Sequence, residues 1–255
     1  MTSYDPARYG EAVGDEYDSL YPGVESETEA ALHMLATLAS KHRSEPILEF
    51  GIGTGRLARG LQQMGFRVAG IDGSERMIAR LRGKPGGERI DVVLGDYRDA
   101  NVPGDFGLVI LALNGIFDPR GRQAQLDIFR NAARHLIPGG YFVVESWVMS
   151  DSQRSGSWSV VPRYVGHEHV ELQLARYDIA TNSIHRTLVH LRPQGLEFVD
   201  VVDTYAAPGE LDIMAEVTGF DRIARYGGWS EAVFTATTTN QVSIYQTRMD
   251  RSSTE

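Results

Sequence analysis

The chain has no cysteine at all, which excludes disulfides, a thiolate nucleophile and any cysteine-ligated metal. It has no apolar run near the ~20 residues that a membrane-spanning helix needs. Its first residues, Met1-Thr2-Ser3-Tyr4-Asp5, carry no apolar signal core. A soluble, cytoplasmic protein is therefore expected. Basic residues are also scarce: 25 Lys and Arg stand against 34 Asp and Glu, a net charge of −9, and no basic run occurs. The electrostatic footprint for nucleic acid or an anionic membrane is missing, so neither is expected as a partner. Internal repeats and low-complexity blocks are absent as well. What remains is a 255-residue chain with 42% hydrophobic residues, enough for one sizeable core with an insertion.

The organising stretch is Ile47-Leu48-Glu49-Phe50-Gly51-Ile52-Gly53-Thr54-Gly55-Arg56-Leu57. A short apolar run meets glycines at every second position, and a helical pattern follows. Strand, tight loop and helix N-terminus in this order present backbone N–H groups to a ligand. From there apolar runs and helical spacings alternate. The pattern predicts strands at 47–50, 67–71, 90–94, 106–113 and 141–147, with helices at 56–64, 74–82 and 122–136. That alternation argues for a parallel α/β sheet covered on both faces. After Val148 the period changes to two, predicting antiparallel strands at 168–177, 183–191 and 196–203. A helix over 208–218 and strands at 221–226 and 241–248 complete the chain. Upstream, a tyrosine- and acid-rich segment predicts a helix over about 9–20, and a second helix runs from about 26 to 43.

In an open α/β sheet, ligands lie beyond the carboxyl ends of the strands. Here those ends carry the glycine loop, then Asp72-Gly73, then Gly95-Asp96-Tyr97, then Leu111 to Asn114, with Met77 one turn into the second helix. Asp72 can accept both hydroxyls of a ribose, Asp96 can accept an exocyclic amine, and Met77 offers an apolar surface to a purine. A dinucleotide fingerprint wants G-x-G-x-x-G; here the third glycine comes one residue early, at Gly55, and position 56 is arginine. With Glu49, Asp72 and Gly95-Asp96-Tyr97, the loop resembles the class I S-adenosylmethionine-dependent methyltransferases, over roughly 46–147 and again at the last two strands.

The resemblance implies a Rossmann-like α/β sheet and S-adenosyl-L-methionine as cofactor, with S-adenosyl-L-homocysteine as product. Gly51, Gly53 and Gly55 would pack against its methionine and ribose parts, and Glu49 would orient the ammonium. Asp72 would bind the ribose, with Gly73 and Met77 lining the adenosine; Asp96 and Tyr97 would recognise adenine; Leu111 to Asn114 would meet the methionine end. Tyr9 and Tyr17 look like the lid tyrosines of small-molecule methyltransferases. Residues 150–204 resemble the substrate-capping insertion of bacterial natural-product enzymes. The implied organisation is a helical lid over 1–45, a cofactor-binding core over 46–149 and 205–248, the cap over 150–204, and a tail over 249–255.

The expected activity is methyl transfer to an O or N atom of a small molecule in secondary metabolism. Such a reaction depends mainly on positioning, and a phenol or hydroxyl acceptor also needs a base. Candidate catalytic groups are Glu145 and His190. Trp147, Arg163, Tyr164 and Trp229 are candidates for lining the acceptor pocket. No metal is expected, since only Asp118 stands near the end of the fourth strand. The alternatives are a cyclisation or isomerisation by the same fold and cofactor, and, less favoured, an NAD-dependent oxidoreductase. The tyrosine-rich helix could cover its own site or a neighbour's, which leaves a homo-oligomer open.

Overall fold

The computed structural model describes residues 7, 10–11, 17–20, 25–118, 121–150, 153 and 156–249. Strands β1 (Ile47–Phe50), β2 (Val68–Asp72), β3 (Asp91–Leu94), β4 (Phe106–Leu111) and β5 (Leu136–Trp147) alternate with helices α2 (Arg56–Gln63), α3 (Glu75–Arg82) and α4 (Arg122–His135). Helix α1 (Glu25–Ala39) precedes them; α5 (Pro208–Val217), β10 (Phe220–Tyr226) and β11 (Asn240–Thr247) close the sheet. Its strand order is β10-β11-β5-β4-β1-β2-β3, parallel from β5 to β3 and antiparallel at β10 and β11. The Rossmann-like, mainly parallel α/β sheet expected from the sequence is thus present. Sequence order reverses direction at β1, which lies between β2 and β4, and this switch point opens a crevice at the strand ends.

Central strands are apolar on both sides because helices cover both faces. Ile47, Leu108, Ile110 and Val143 point to α1 and α2, where they pack with Leu35, Leu38, Leu57 and Leu61. Leu48, Phe50, Val109, Phe142 and Val144 point the other way, against Ile128, Phe129, Leu211 and Met214. Phe129 meets Phe142 edge-on at 5.2 Å. Helix α1 is therefore a layer of the core, because its apolar stripe is buried against α2 and the sheet. This corrects the expectation of a lid extending to residue 45. The predicted helix over 9–20 lies mostly outside the described residues; Tyr17–Leu20 forms one helical turn.

A second, antiparallel sheet follows β5, in the order β6 (Ser159–Val165), β7 (Val170–Asp178), β8 (Ser183–Arg192) and β9 (Gly195–Thr204). Strand β6 was not expected. Pro162 and Arg163 interrupt its apolar pattern, and the pairing with β7 slips between Pro162 and Tyr164. An edge strand tolerates both, since its outer N–H row needs no partner. Strand β5 also starts earlier than expected: Leu136 pairs with Phe106, and Gly139 (φ +78°) absorbs the irregularity. Tyr177 and Ile184 of the second sheet join the core cluster with Tyr205 and Phe117. Among the described residues, no helix is long and apolar enough to cross a membrane.

Candidate active site

The site is built from the carboxyl end of β1 outward. Gly51, Gly53 and Gly55 all have left-handed backbone, with φ of +65°, +54° and +79°. Gly55 must lack a Cβ, because one placed there would stand 2.3 Å from Leu81 Cδ1. At Gly51 and Gly53 nothing approaches a notional Cβ closer than 3.7 Å, so this main chain stays uncovered. The Gly53 N–H donates to Asp72 Oδ2 at 2.7 Å, and the Ser74 N–H donates to Oδ1 at 2.9 Å. Ser74 Oγ in turn caps α3 by accepting from the Met77 N–H. Asp72 is largely buried, and that burial raises its pKa against the two N–H donors.

Glu49 is 5% exposed, and its Oε2 has no hydrogen-bond partner. Burial pushes this carboxyl up to about 8, opposed by the Arg56 guanidinium. An orphaned, buried carboxylate oxygen beneath an uncovered glycine turn is a cation-seeking group.

The end of β4 is the most strained part of the site. Leu113 (φ +49°) and Asn114 (φ +67°) both adopt left-handed backbone, which costs about 1–3 kcal/mol for each such residue. Glu145 holds them there. Its Oε2 accepts from the Leu113 N–H at 2.8 Å, its backbone carbonyl accepts from the Asn114 N–H, and its Oε1 accepts from Trp229 Nε1 at 2.7 Å. Asn114 Oδ1 accepts from the Trp147 N–H at 2.7 Å. Leu111 itself is buried. Each Glu145 carboxylate oxygen thus accepts from a protein donor, and Glu145 positions the loop. Trp229 is placed by the same contact. It is buried in the core cluster shared with α1 and α2, across the sheet from Trp147.

Several expected ligand-facing groups are engaged with protein. Asp96 Oδ1 accepts from the Arg98 N–H, and Oδ2 pairs with the Arg98 guanidinium. Only its remaining lone pairs are left for a ligand. Tyr97 is packed on Phe50 at 6.1 Å, and its hydroxyl donates to the Gly115 carbonyl at 2.9 Å. It is first a buttress of the β4 loop, because a phenol buried here needs an acceptor. Trp147 lies between Phe117 and Tyr205. Arg163 and Tyr164 are exposed on β6, with Tyr164 against His169. His190 is 3% exposed and pairs with His169 and Glu171 on the second sheet. Tyr9 lies outside the described residues; Tyr17 is half-buried in its helical turn.

Two features escaped the sequence reading. First, the N-terminal segment is held by acids. Glu11 accepts from Ser74 Oγ at 2.7 Å and from the Arg76 N–H at 3.1 Å, and the Ser74 bond leads the lowering of its pKa. Asp18 accepts from Thr54 Oγ1 at 2.7 Å and pairs with Lys84 at 2.7 Å and Arg80 at 3.2 Å. Partial burial raises the Asp18 pKa, but the Lys84, Thr54 and Arg80 contacts outweigh it and the net shift is downward. Second, Asp118 lies 3.4 Å from the Tyr97 hydroxyl. Its side chain keeps accessible surface yet is crowded by protein, which pushes its pKa up to about 7, helped by the Asp203 carboxylate. Asp203 is held by Arg186 of β8 in a two-point ion pair, one arm at 2.9 Å. Asp118 therefore stands where the β4 loop meets the second sheet.

Residues 47–140 match the family described as a methyltransferase domain. The cypemycin N-terminal methyltransferase of a Streptomyces species is 25% identical over 91% of this chain and 94% of its own. The dTDP-3-amino-3,6-dideoxy-alpha-D-glucopyranose N,N-dimethyltransferase of Streptomyces fradiae is 30% identical over 57% of each chain. Among solved structures, the CcbJ methyltransferase of Streptomyces caelestis superposes with a TM-score of 0.87 at 29% identity, covering 96% of this chain and 100% of that one.

Proposed function

We propose that the chain is a class I S-adenosylmethionine-dependent methyltransferase and that it methylates an amine nitrogen of a small natural-product molecule. The site observation behind this reading is Asp118, an exposed carboxyl 3.4 Å from the Tyr97 hydroxyl where the β4 loop meets the second sheet; the choice of nitrogen over oxygen rests on the relatives. Two relatives support it by name, one an N-terminal methyltransferase for cypemycin and one an N,N-dimethyltransferase for an amino sugar.

The residues present fit the cofactor. The orphaned Glu49 Oε2 is suited to its ammonium, and the uncovered main chain of Gly51 and Gly53 to its close approach. Asp72 would exchange part of its N–H bonding for the ribose hydroxyls, beside Gly73 and Met77. Asp96 and Tyr97 would border the adenine, and Leu111 to Asn114 the methionine end. Tyr17 would face the cofactor from the helical turn that Asp18 fastens to Thr54 and Lys84. When bound, S-adenosylmethionine supplies an electrophilic methyl group and leaves as S-adenosylhomocysteine.

An amine attacks only as the free base. Asp118, ionised as an ammonium approaches, would hold it through a charge-assisted hydrogen bond and then accept its proton. The Arg186–Asp203 pair fixes the charge around Asp118 from the cap side. In-line positioning of the nucleophile contributes roughly 7–11 kcal/mol in such reactions.

The test is a panel of matched amines and phenols with S-adenosylmethionine, read by product mass. Amines should gain methyl groups, and Asp118→Asn should lower kcat/KM by about 10²–10⁴-fold and remove a limb of the pH profile near 7. Methylation confined to phenols, or an unaltered pH profile, would refute the assignment. A product of unchanged mass would point to cyclisation or isomerisation instead.

A further inference from the structure

The β7–β8 register sets Glu171 directly opposite His190, so their side chains share a face; His169 is two residues before Glu171 and lies on the same side. His169 Nε2 is 3.1 Å from His190 Nδ1, and the two rings stack at 5.4 Å, 21° from parallel. Glu171 Oε2 is 3.7 Å from His190 Nδ1. One ligand atom from each residue lies within 4.8 Å of the others. Glu171 is 1% exposed, His190 3% exposed, and Glu171 Oε2 has no hydrogen-bond partner.

A proton shared between the two imidazoles accounts for the 3.1 Å contact but leaves the buried carboxylate oxygen without a donor. An unpaired buried oxygen of this kind is destabilising. A cation bound by all three groups accounts for both. Metal–nitrogen bonds of about 2.0–2.1 Å and metal–oxygen bonds of about 2.0–2.2 Å put tetrahedral ligand atoms about 3.3–3.5 Å apart. The observed 3.1 and 3.7 Å bracket that spacing.

We propose that His169 Nε2, His190 Nδ1 and Glu171 form a binding site for a divalent transition metal, with zinc(II) the best match. Two imidazoles and a carboxylate suit zinc and its neighbours, whereas magnesium and calcium prefer all-oxygen shells. Three protein ligands leave a fourth position for water or a heteroatom of a bound molecule. The ion ties the turn before β7 to β8 and makes His190 a ligand, not a proton acceptor. The sequence gives no spacing cue, since His169 and His190 are 21 residues apart and only the strand pairing brings them together.

The experiment uses untagged, full-length protein dialysed against chelator. Zinc(II) is titrated by calorimetry against a competing chelator, and cobalt(II) is titrated by visible absorption. One zinc per chain and the strong d–d bands of tetrahedral cobalt are expected. Loss of an outer-sphere partner costs 10–100-fold in affinity, so Glu171→Gln and His169→Asn should each weaken zinc by more than ~100-fold. His185→Asn, exposed on the opposite face of β8, should bind as the parent does. Circular dichroism checks each variant. If the buried Glu171→Gln chain does not fold, the half-exposed His169→Asn carries the comparison. No stoichiometric zinc, octahedral cobalt spectra, or affinity unchanged in Glu171→Gln or His169→Asn would overturn the site. None of these readouts depends on methyl transfer.

Discussion

Replacing Glu49 by glutamine separates what this residue costs the fold from what it gives the cofactor. The folded chain holds the Glu49 proton up to about pH 8, because burial outweighs the Arg56 guanidinium. The unfolded chain releases it near 4.5. Between those values the folded state binds the extra proton, so stability is greatest below about 4.5 and falls as pH rises toward 8. At 1.36 kcal/mol per pH unit, the full window is worth at most about 5 kcal/mol. Glutamine carries no such proton. The difference between parent and Glu49→Gln in urea-unfolding free energy should therefore grow with pH, favouring the variant by about 2–5 kcal/mol at pH 8.5 relative to pH 4.5. Subtraction removes the slopes of Asp72, Asp118 and Glu145, which both proteins share. Binding should move the other way. An ammonium beside Glu49 favours the carboxylate, so the parent should release a proton on taking up S-adenosylhomocysteine near pH 7. Calorimetry in two buffers of different ionisation enthalpy detects that proton. Glu49→Gln should bind more weakly and release none from this position. A flat stability difference across the pH range would refute the buried-carboxyl reasoning, and equal proton release would refute the ammonium assignment.

Two further outcomes follow from the same geometry. Asp18→Asn removes the charge that fastens the N-terminal segment to Thr54, Lys84 and Arg80; with about a third of these side chains exposed, the loss should be only about 0.5–1.5 kcal/mol. It should appear as a several-fold higher KM for S-adenosylmethionine, with a smaller salt dependence than the parent's; an unchanged KM would show that the contact does not guard the site. Gly55→Ala forces a Cβ to within 2.3 Å of Leu81 Cδ1 at a left-handed position. Unfolding free energy should fall by about 2 kcal/mol or more, strain and overpacking each contributing, and a Tm within a degree of the parent's would contradict the packing described.

How much could be read in advance depended on range. Strands β1 to β4 stand out because each is a short apolar run that gives way to glycine, aspartate or asparagine, and β1, β2 and β4 are buried on both faces. Strand β6 did not, since an edge strand carrying Pro162 and Arg163 has no alternation to detect. Glycine spacing after β1 and the acids at the ends of β2 and β3 marked the rim proposed for the cofactor, where chain-local geometry governs: a left-handed turn and a strand end are set by a handful of neighbouring residues. Even there, the engagement of Asp96 by Arg98 and of Tyr97 by Gly115 had to be seen, because residue type does not say which lone pairs are already used.

Composition and local pattern alone determined the parallel α/β class, the glycine turn and the acids at the strand ends. Tertiary structure decided the rest. It made Glu145 a clamp, left Glu49 Oε2 without a donor, tied Glu11 and Asp18 to the rim of the first sheet, and brought Asp118 to the second sheet. The reason is physical: burial and partner choice depend on residues dozens to over a hundred positions apart meeting across a sheet, and no spacing in a single chain encodes which of them will meet.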